Sequence, residues 1–185
     1  AINLSNAGLS IRNCVIRDNV YGQAENSSPV YGGPSGAVYV TGMPIQIINT
    51  KFIDNQIFTS SMGGMGGGAG GLNLGSGAHL QMTGCEFTGN YAYSTGAIYV
   101  GGVQADIKNT VFSGNRSNSN GSAIYFGYSY GMPGGTTLSP KLMLTNCLLR
   151  NNPSTSDYSD IYIPSSATAE IVNTTIFGGA AKKGS

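Results

Sequence analysis

Charge is scarce in this chain. Asp, Glu, Lys and Arg make up only 9% of its 185 residues, and the formal net charge is +1. A typical soluble domain carries about 25% charged residues. A surface this neutral implies no polyanion partner, so no nucleic acid is expected to bind. Histidine occurs once, at His79, and tryptophan is absent. One imidazole cannot build a multi-histidine metal site. A serine triad would have only His79 as its base, with no Gly-x-Ser-x-Gly elbow beside it. His79 therefore reads as structural or solvent-exposed. The three cysteines, Cys14, Cys85 and Cys147, are widely spaced and form no Cys-x-x-Cys pair. They are neither a zinc pattern nor a disulfide framework. No apolar run approaches the roughly 18 residues of a spanning helix, so this segment is expected not to insert in a membrane. No helical period of useful length occurs. Nothing in this inventory calls for a cofactor.

What the chain has instead is glycine, 29 of 185 residues, and repetition. Repeats decide the architecture before any single motif does. One eleven-residue word begins as Leu9-Ser-Ile-Arg-Asn-Cys-Val-Ile-Arg-Asp-Asn19 and returns from Ile45, Leu80, Ala105, Leu142 and Ala169 without a gap. A second word lies between its copies: Gly36-Ala-Val-Tyr-Val40, Gly70-Gly-Leu-Asn-Leu74, Gly96-Ala-Ile-Tyr-Val100, Ser122-Ala-Ile-Tyr-Phe126 and Ser159-Asp-Ile-Tyr-Ile163. Each is short, β-branched and alternating, which is the pattern of a strand. From Asn13 to its successive equivalents the spacings are 36, 35, 25, 37 and 27 residues. The shorter two are the bare unit, and the longer ones carry inserts at residues 20–35, 56–69 and 127–140.

A unit near 25 residues with several short strands and no helix predicts one coil of a parallel β-helix. Each strand pairs with its copy about 4.8 Å along the axis. The chirality of parallel crossovers makes the right-handed form the expectation. The whole is read as a right-handed parallel β-helix of five to six coils over residues 1–179, with 180–185 as a tail or linker. Ile11, Ile47, Met82, Ile107, Leu144 and Ile171 should form one inward column. Ile16, Phe52, Phe87, Phe112, Leu149 and Ile176 should form another. Asn13, Asn49, Asn109, Asn146 and Asn173, with Gly84, share one corner. Asn19, Asn55, Asn90, Asn115 and Asn152 share the next. Asn and Gly tolerate the left-handed backbone that tight bends need, and stacked Asn amides can also bond from coil to coil. The three cysteines fall in one inward slot with Thr50 and Thr110 between them, too far apart for a disulfide.

The two words together resemble the repeat of chlamydial polymorphic outer-membrane proteins. Phe-x-x-Asn, at Phe52–Asn55, Phe87–Asn90 and Phe112–Asn115, alternates with Gly-Gly-Ala-Ile-like strands such as Gly70-Gly71-Leu72 and Gly96-Ala97-Ile98. Cys two residues before Phe, as in Cys85-Glu86-Phe87, is similar as well. The resemblance covers nearly the whole chain and departs at Leu149 and Gly179. It implies a secreted, surface-exposed β-helix acting as an adhesin.

Chemistry has few candidates. Catalysis on a β-helix would need several carboxylates on one outer face, and a glycosidase needs a pair about 5–9.5 Å apart. The best pair is Asp18 and Asp54, in the same slot of adjacent coils. It could be two solvated corner carboxylates, a cation site or an acid/nucleophile pair. No third carboxylate follows in register, and Arg17 is positioned to neutralise Asp18. Asp157 and Asp160 read as turn formers. The Gly-rich stretch 63–71 lacks the Gly-Lys-Ser/Thr ending of a phosphate loop. The outward face offers Tyr39, Tyr99, Tyr125 and Tyr162 in one slot of the second word. Such a ladder either stabilises the sheet or offers a contact surface for a partner or glycan. The inserts at 20–35 and 56–69 leave the same corner on consecutive coils. They are expected to form one lateral bulge for specific binding, with Tyr21, Tyr31, Phe58, Met62 and Met65. Five N-glycosylation sequons, at Asn3, Asn26, Asn115, Asn120 and Asn173, are slightly more than chance provides.

The sequence thus predicts a non-enzymatic extracellular β-helix, an adhesin or structural element whose partner is a cell-surface protein or glycan. The alternative is a polysaccharide lyase or glycoside hydrolase on the same scaffold. The chain opens with Ala1-Ile-Asn-Leu4 in mid-coil and stops just after a first word. Open strand edges at both ends predict either a segment of a longer solenoid or end-to-end pairing with other copies.

Overall fold

The computed structural model describes residues 2–22, 36–58, 68–75, 77–102, 104–127, 140–158, 160–163 and 167–180. Every regular element among them is a short strand, and all the strands pair in parallel. The first sheet stacks Ile2–Leu4, Val38–Val40, Leu72–Leu74, Ile98–Val100, Ile124–Phe126 and Ile161–Tyr162, the copies of the second word. The second stacks Leu9–Arg12, Ile45–Ile48, His79–Thr83, Gln104–Lys108, Lys141–Thr145 and Thr168–Val172. The third stacks Val15–Arg17, Lys51–Ile53, Glu86–Thr88, Val111–Ser113, Leu148–Arg150 and Thr175–Phe177. Each chain passage visits the sheets in that order, so the fold is a parallel β-helix of six coils. The gapless alignment of the words is the register of the sheets: Ile47 pairs with Met82, Met82 with Ile107 and Ile107 with Leu144.

A fourth sheet was not visible in the sequence. Val20–Gly22, Gln56–Phe58, Tyr91–Ala92 and Arg116–Ser117 pair beyond the second Asn corner. The two long inserts therefore begin in paired strands and do not leave directly from the corner. The strands Tyr91–Ala92 and Arg116–Ser117 are two residues long, too short to show an alternating pattern.

The core follows from the inward columns. Phe52, Phe87 and Phe112 are wholly buried, with ring centroids 4.5 and 5.2 Å apart and planes within 14° of parallel. Truncating such a ring to Ala costs about 3–5 kcal/mol. The columns lose cover at the last coil. Ile171 and Ile176 are 47% and 44% exposed, because no described coil lies beyond them.

The two Asn rows separate by backbone and by burial. At the first corner Asn13, Asn49, Asn109, Asn146 and Asn173 have φ between 47° and 54°, with Gly84 at 65°. This is the left-handed region foreseen for them. At the second corner the left-handed residue is the one before the ladder Asn: Asp18, Asp54, Gly89, Gly114, Asn151 and Gly178. The expectation that Asn19, Asn55, Asn90, Asn115 and Asn152 serve this backbone role is thus corrected. The last four of them are buried and their amides form a continuous chain. Asn19 donates to Asn55, Asn55 to Asn90, Asn90 to Asn115 and Asn115 to Asn152, at 2.8–3.0 Å. The second amide hydrogen of Asn55, Asn90 and Asn115 goes to the backbone carbonyl of Ile16, Phe52 and Phe87 respectively. Each acceptor oxygen also takes the backbone N–H of the preceding Asn in the row. With this many partners, each buried amide replaces the hydrogen bonds that it gives up to water.

The row ends at Asp160. Gly179 stands where a sixth Asn would be, and Asn152 donates instead to Asp160 Oδ1 at 2.9 Å. Asp160 is 7% exposed and takes the inward slot that Ala97 and Ala123 fill in earlier coils. It closes the row and is not merely a turn residue.

The cysteine slot is likewise a ladder. Cys14, Cys85 and Cys147 are free thiols. They alternate with Thr50, Thr110 and Thr174, and each thiol or hydroxyl donates to the carbonyl two residues earlier. Each cysteine N–H in turn bonds the Thr oxygen of the next coil.

Candidate functional site

Tyr39, Tyr99 and Tyr125 sit at the middle of their strands and Tyr162 at the end of its own, all in the slot whose side chains point outward. Strand pairing places Asn3, Tyr39, Asn73, Tyr99, Tyr125 and Tyr162 in one row. All four tyrosines are half-buried. Asn73, 3% exposed, separates Tyr39 from the other three. Tyr99 and Tyr125 stack at 5.0 Å with planes 19° apart, and Tyr125 and Tyr162 follow at 4.8 Å and 31°. Tyr158 leans on the far side of Tyr162 at 5.6 Å and 58°.

This geometry decides what the row can contact. Stacked rings spend their faces on one another, so the row offers ring edges and phenol oxygens. A sugar stacking flat on an aromatic face finds none between Tyr99, Tyr125 and Tyr162. The rings are also held laterally. A Cβ added at Gly127 would lie 2.4 Å from Tyr125 Cε1, and one at Gly101 3.1 Å from Tyr99 Cε1. The glycines two residues after Tyr99 and Tyr125 are what let the rings lie down over their own strands. Burial raises the phenol pKa of Tyr99 above its ordinary value. For Tyr125 burial acts first, and the neighbouring phenols of Tyr99 and Tyr162 add to it. Tyr99 and Tyr125 therefore hold their protons more tightly than free tyrosines.

The insert residues divide. Tyr21 is half-buried and pairs with Ile57 in the fourth sheet. Phe58 packs its ring against Tyr91 at 5.3 Å, and Arg116 lies 4.8 Å from the Tyr91 ring centre. Tyr31, Met62 and Met65, and with them most of the expected bulge, lie outside the described residues.

Asp18 and Asp54 do not converge. Both occupy left-handed corner positions with exposed side chains. Asp18 pairs with Arg17 at 2.6 Å. Asp54 Oδ1 leans over Gly89 in the next coil, 2.1 Å from where a Cβ would be, and so away from Asp18. Among the described residues no three His, Cys, Asp or Glu side chains come together. His79 is exposed. Among the sequons, Asn115 is corrected: it is wholly buried and both its amide hydrogens are used in the ladder, so it is no glycan acceptor. Asn3 and Asn173 are exposed, Asn120 accepts from Ser156, and Asn26 lies outside the described residues.

No family model, no curated protein and no solved structure matches the chain.

Proposed function

We propose that the chain is a non-enzymatic β-helix of an extracellular surface, working by contact as an adhesin or structural element. The Phe-x-x-Asn repeat resembles that of secreted surface β-helices. The observation that carries the reading is the row Tyr99, Tyr125 and Tyr162. Three half-buried rings, stacked at 4.8–5.0 Å on a six-coil scaffold, form a contact strip whose shape is set before binding. Preorganised tyrosines bring amphipathic area at low entropic cost. With its faces occupied, the strip favours a protein partner that meets ring edges and hydroxyls.

The test is attachment of the immobilised chain to cultured epithelial cells and to laminin and fibronectin coats. The variant replaces Tyr99, Tyr125 and Tyr162 by Ser, and unfolding curves verify its fold. Loss of attachment in the folded triple variant supports the reading. Attachment unchanged by the triple variant, or hydrolysis or lyase activity on polysaccharides by the intact chain, would overturn it.

A further inference from the structure

The outward face of the second sheet carries a feature that its sequence pattern did not announce. Gln46, Gln81 and Asp106 lie in one row on successive coils, and Ile48, Thr83 and Lys108 lie in the next. Between them runs a groove of about 350 Å³. Its charges are balanced, since Lys108 Nζ sits 3.0 Å from Asp106 Oδ2. The other carboxylate oxygen, Asp106 Oδ1, is covered and has no hydrogen-bond partner. A covered acceptor without a donor is costly. The Cβ–Cγ torsion of Asp is soft, so a small rotation turns that oxygen toward a donor entering the groove. Arg12 donates to Gln46 Oε1 and so fixes that amide at one end.

We propose that this groove binds a neutral, linear oligosaccharide lying along the helix axis. The floor is the face of a sheet whose strands are already paired on both sides, so a peptide cannot be taken up as an added strand. Recognition has to come from side chains. Those present are the two amides and the carboxylate of Gln46, Gln81 and Asp106, one step of about 4.8 Å apart along the axis, with the Thr83 hydroxyl beside Gln81 on the same strand. That step is close to the length of one sugar unit in an extended chain. The amides accept from and donate to sugar hydroxyls, the Asp106 carboxylate accepts from them, and Ile48 offers an apolar wall for C–H faces. Within the lining the Asp106–Lys108 pair carries no net charge, and Arg12 adds a positive charge at the amino-terminal end alone, where it meets at most one unit of a uronate polymer. The proposal concerns the second sheet and does not depend on the tyrosine row of the first.

The test is an NMR titration of the isotope-labelled full chain with cellohexaose and mannohexaose. Hexagalacturonate and an uncharged hexapeptide serve as counterparts. Saturable shifts of the Gln46 and Gln81 side-chain amides with a neutral hexasaccharide are expected. Gln81→Ala and Asp106→Ala should each weaken that binding roughly tenfold or more. Glu86→Gln, on the third sheet, should leave it unchanged. Amide fingerprints verify that each variant is folded. Should Asp106→Ala fail to fold, Gln81→Ala decides alone. The proposal is overturned by no response to either neutral sugar at millimolar concentration, by an equal response to hexagalacturonate or the peptide, or by binding that the folded groove variants leave intact.

Discussion

The two asparagine rows of this β-helix use one residue type for opposite reasons. The outer row, at Asn13, Asn49, Asn109, Asn146 and Asn173, is exposed and has left-handed backbone. Its amides touch only loosely, Asn49 to Asn13 and Asn146 to Asn109, each at 3.3 Å. Its side chains are tolerated because the backbone there suits Asn or Gly. In the inner row, at Asn19, Asn55, Asn90, Asn115 and Asn152, the backbone conformation asks for nothing special. There the side chain itself fills the donor and acceptor needs of the coil corner, where Gly could not replace it. Identical letters six residues apart thus encode a conformational preference in one case and a hydrogen-bond chain in the other.

The comparison breaks most readily at its inner half. Asn90→Ala strands the N–H and amide of Asn55 and the carbonyl of Phe52. It should cost about 3 kcal/mol or more, since each unsatisfied buried group costs roughly 1–3 kcal/mol. Urea unfolding measures this directly. A loss no larger than that of Asn109→Ala would erase the distinction between the rows.

A smaller effect is expected where the inner row stops. Asp160→Ala leaves one Asn152 donor unpaired and should cost about 2 kcal/mol. Asp160→Asn keeps an acceptor there and should cost less than about 1 kcal/mol, provided one partner for Asn152 suffices. Equal losses in the two variants would mean that Asp160 acts through packing and not as the row's terminus.

The outer row should respond more weakly, and selectively. Asn109→Ala keeps a Cβ at positive φ but removes the short polar side chain that makes this backbone tolerable, and should cost about 1 kcal/mol. Asn109→Gly should stay within about 0.5 kcal/mol of the parent. If Gly were as costly as Ala, the side chain would matter there after all.

The smallest effect concerns the Cys/Thr slot between the rows. Burial raises the pKa of Cys85 and Cys147 above the ordinary thiol value, more than their backbone hydrogen bonds lower it. A group raised in the folded state contributes its full stability below its unfolded value. That contribution fades as pH rises above about 8.5. Tyr99 and Tyr125 act with the same sign, beginning near pH 10. Stability should therefore decline on the alkaline side. Cys85→Thr, which copies the residue of alternate coils, should flatten the first part of that decline. Native thiol titration with a disulfide reagent should find Cys14 fast and the other two slow. Equal rates would show that the slot is not sealed in the interior.

Much of this architecture is legible because the chain writes the same coil repeatedly. The aligned words give the register strand by strand, and the inward columns from Ile47 to Leu144 and from Phe52 to Leu149 follow. The fourth sheet is not legible, because its two-residue members Tyr91–Ala92 and Arg116–Ser117 carry no period. The left-handed position at the second corner lies one residue before the Asn that the repeat makes conspicuous. Asp, Gly and Asn all occupy it, while the constant Asn beside it draws attention for another reason. Asp160 looks like a turn residue until Gly179 is seen to be the missing rung that it replaces. The tyrosine row could be read from spacing, but not that its rings would consume their own faces. The groove along Gln46, Gln81 and Asp106 has no linear signature at all. Outward residues of a buried-core strand look alike whether they meet water or a ligand, and only stacking brings these three into line.

The inner row also has a direction. One hydrogen of every amide in it donates toward the carboxy-terminal coil, from Asn19 through Asn152, while the other goes back to a backbone carbonyl. Five amide dipoles therefore add head to tail, and hydrogen bonds in such a series polarise one another. The positive pole of the series meets the carboxylate of Asp160, much as an anion sits at the amino end of an α-helix. The interior thus carries a row of hydrogen bonds with unlike ends, an amide at one and a carboxylate at the other, under a surface with few charges.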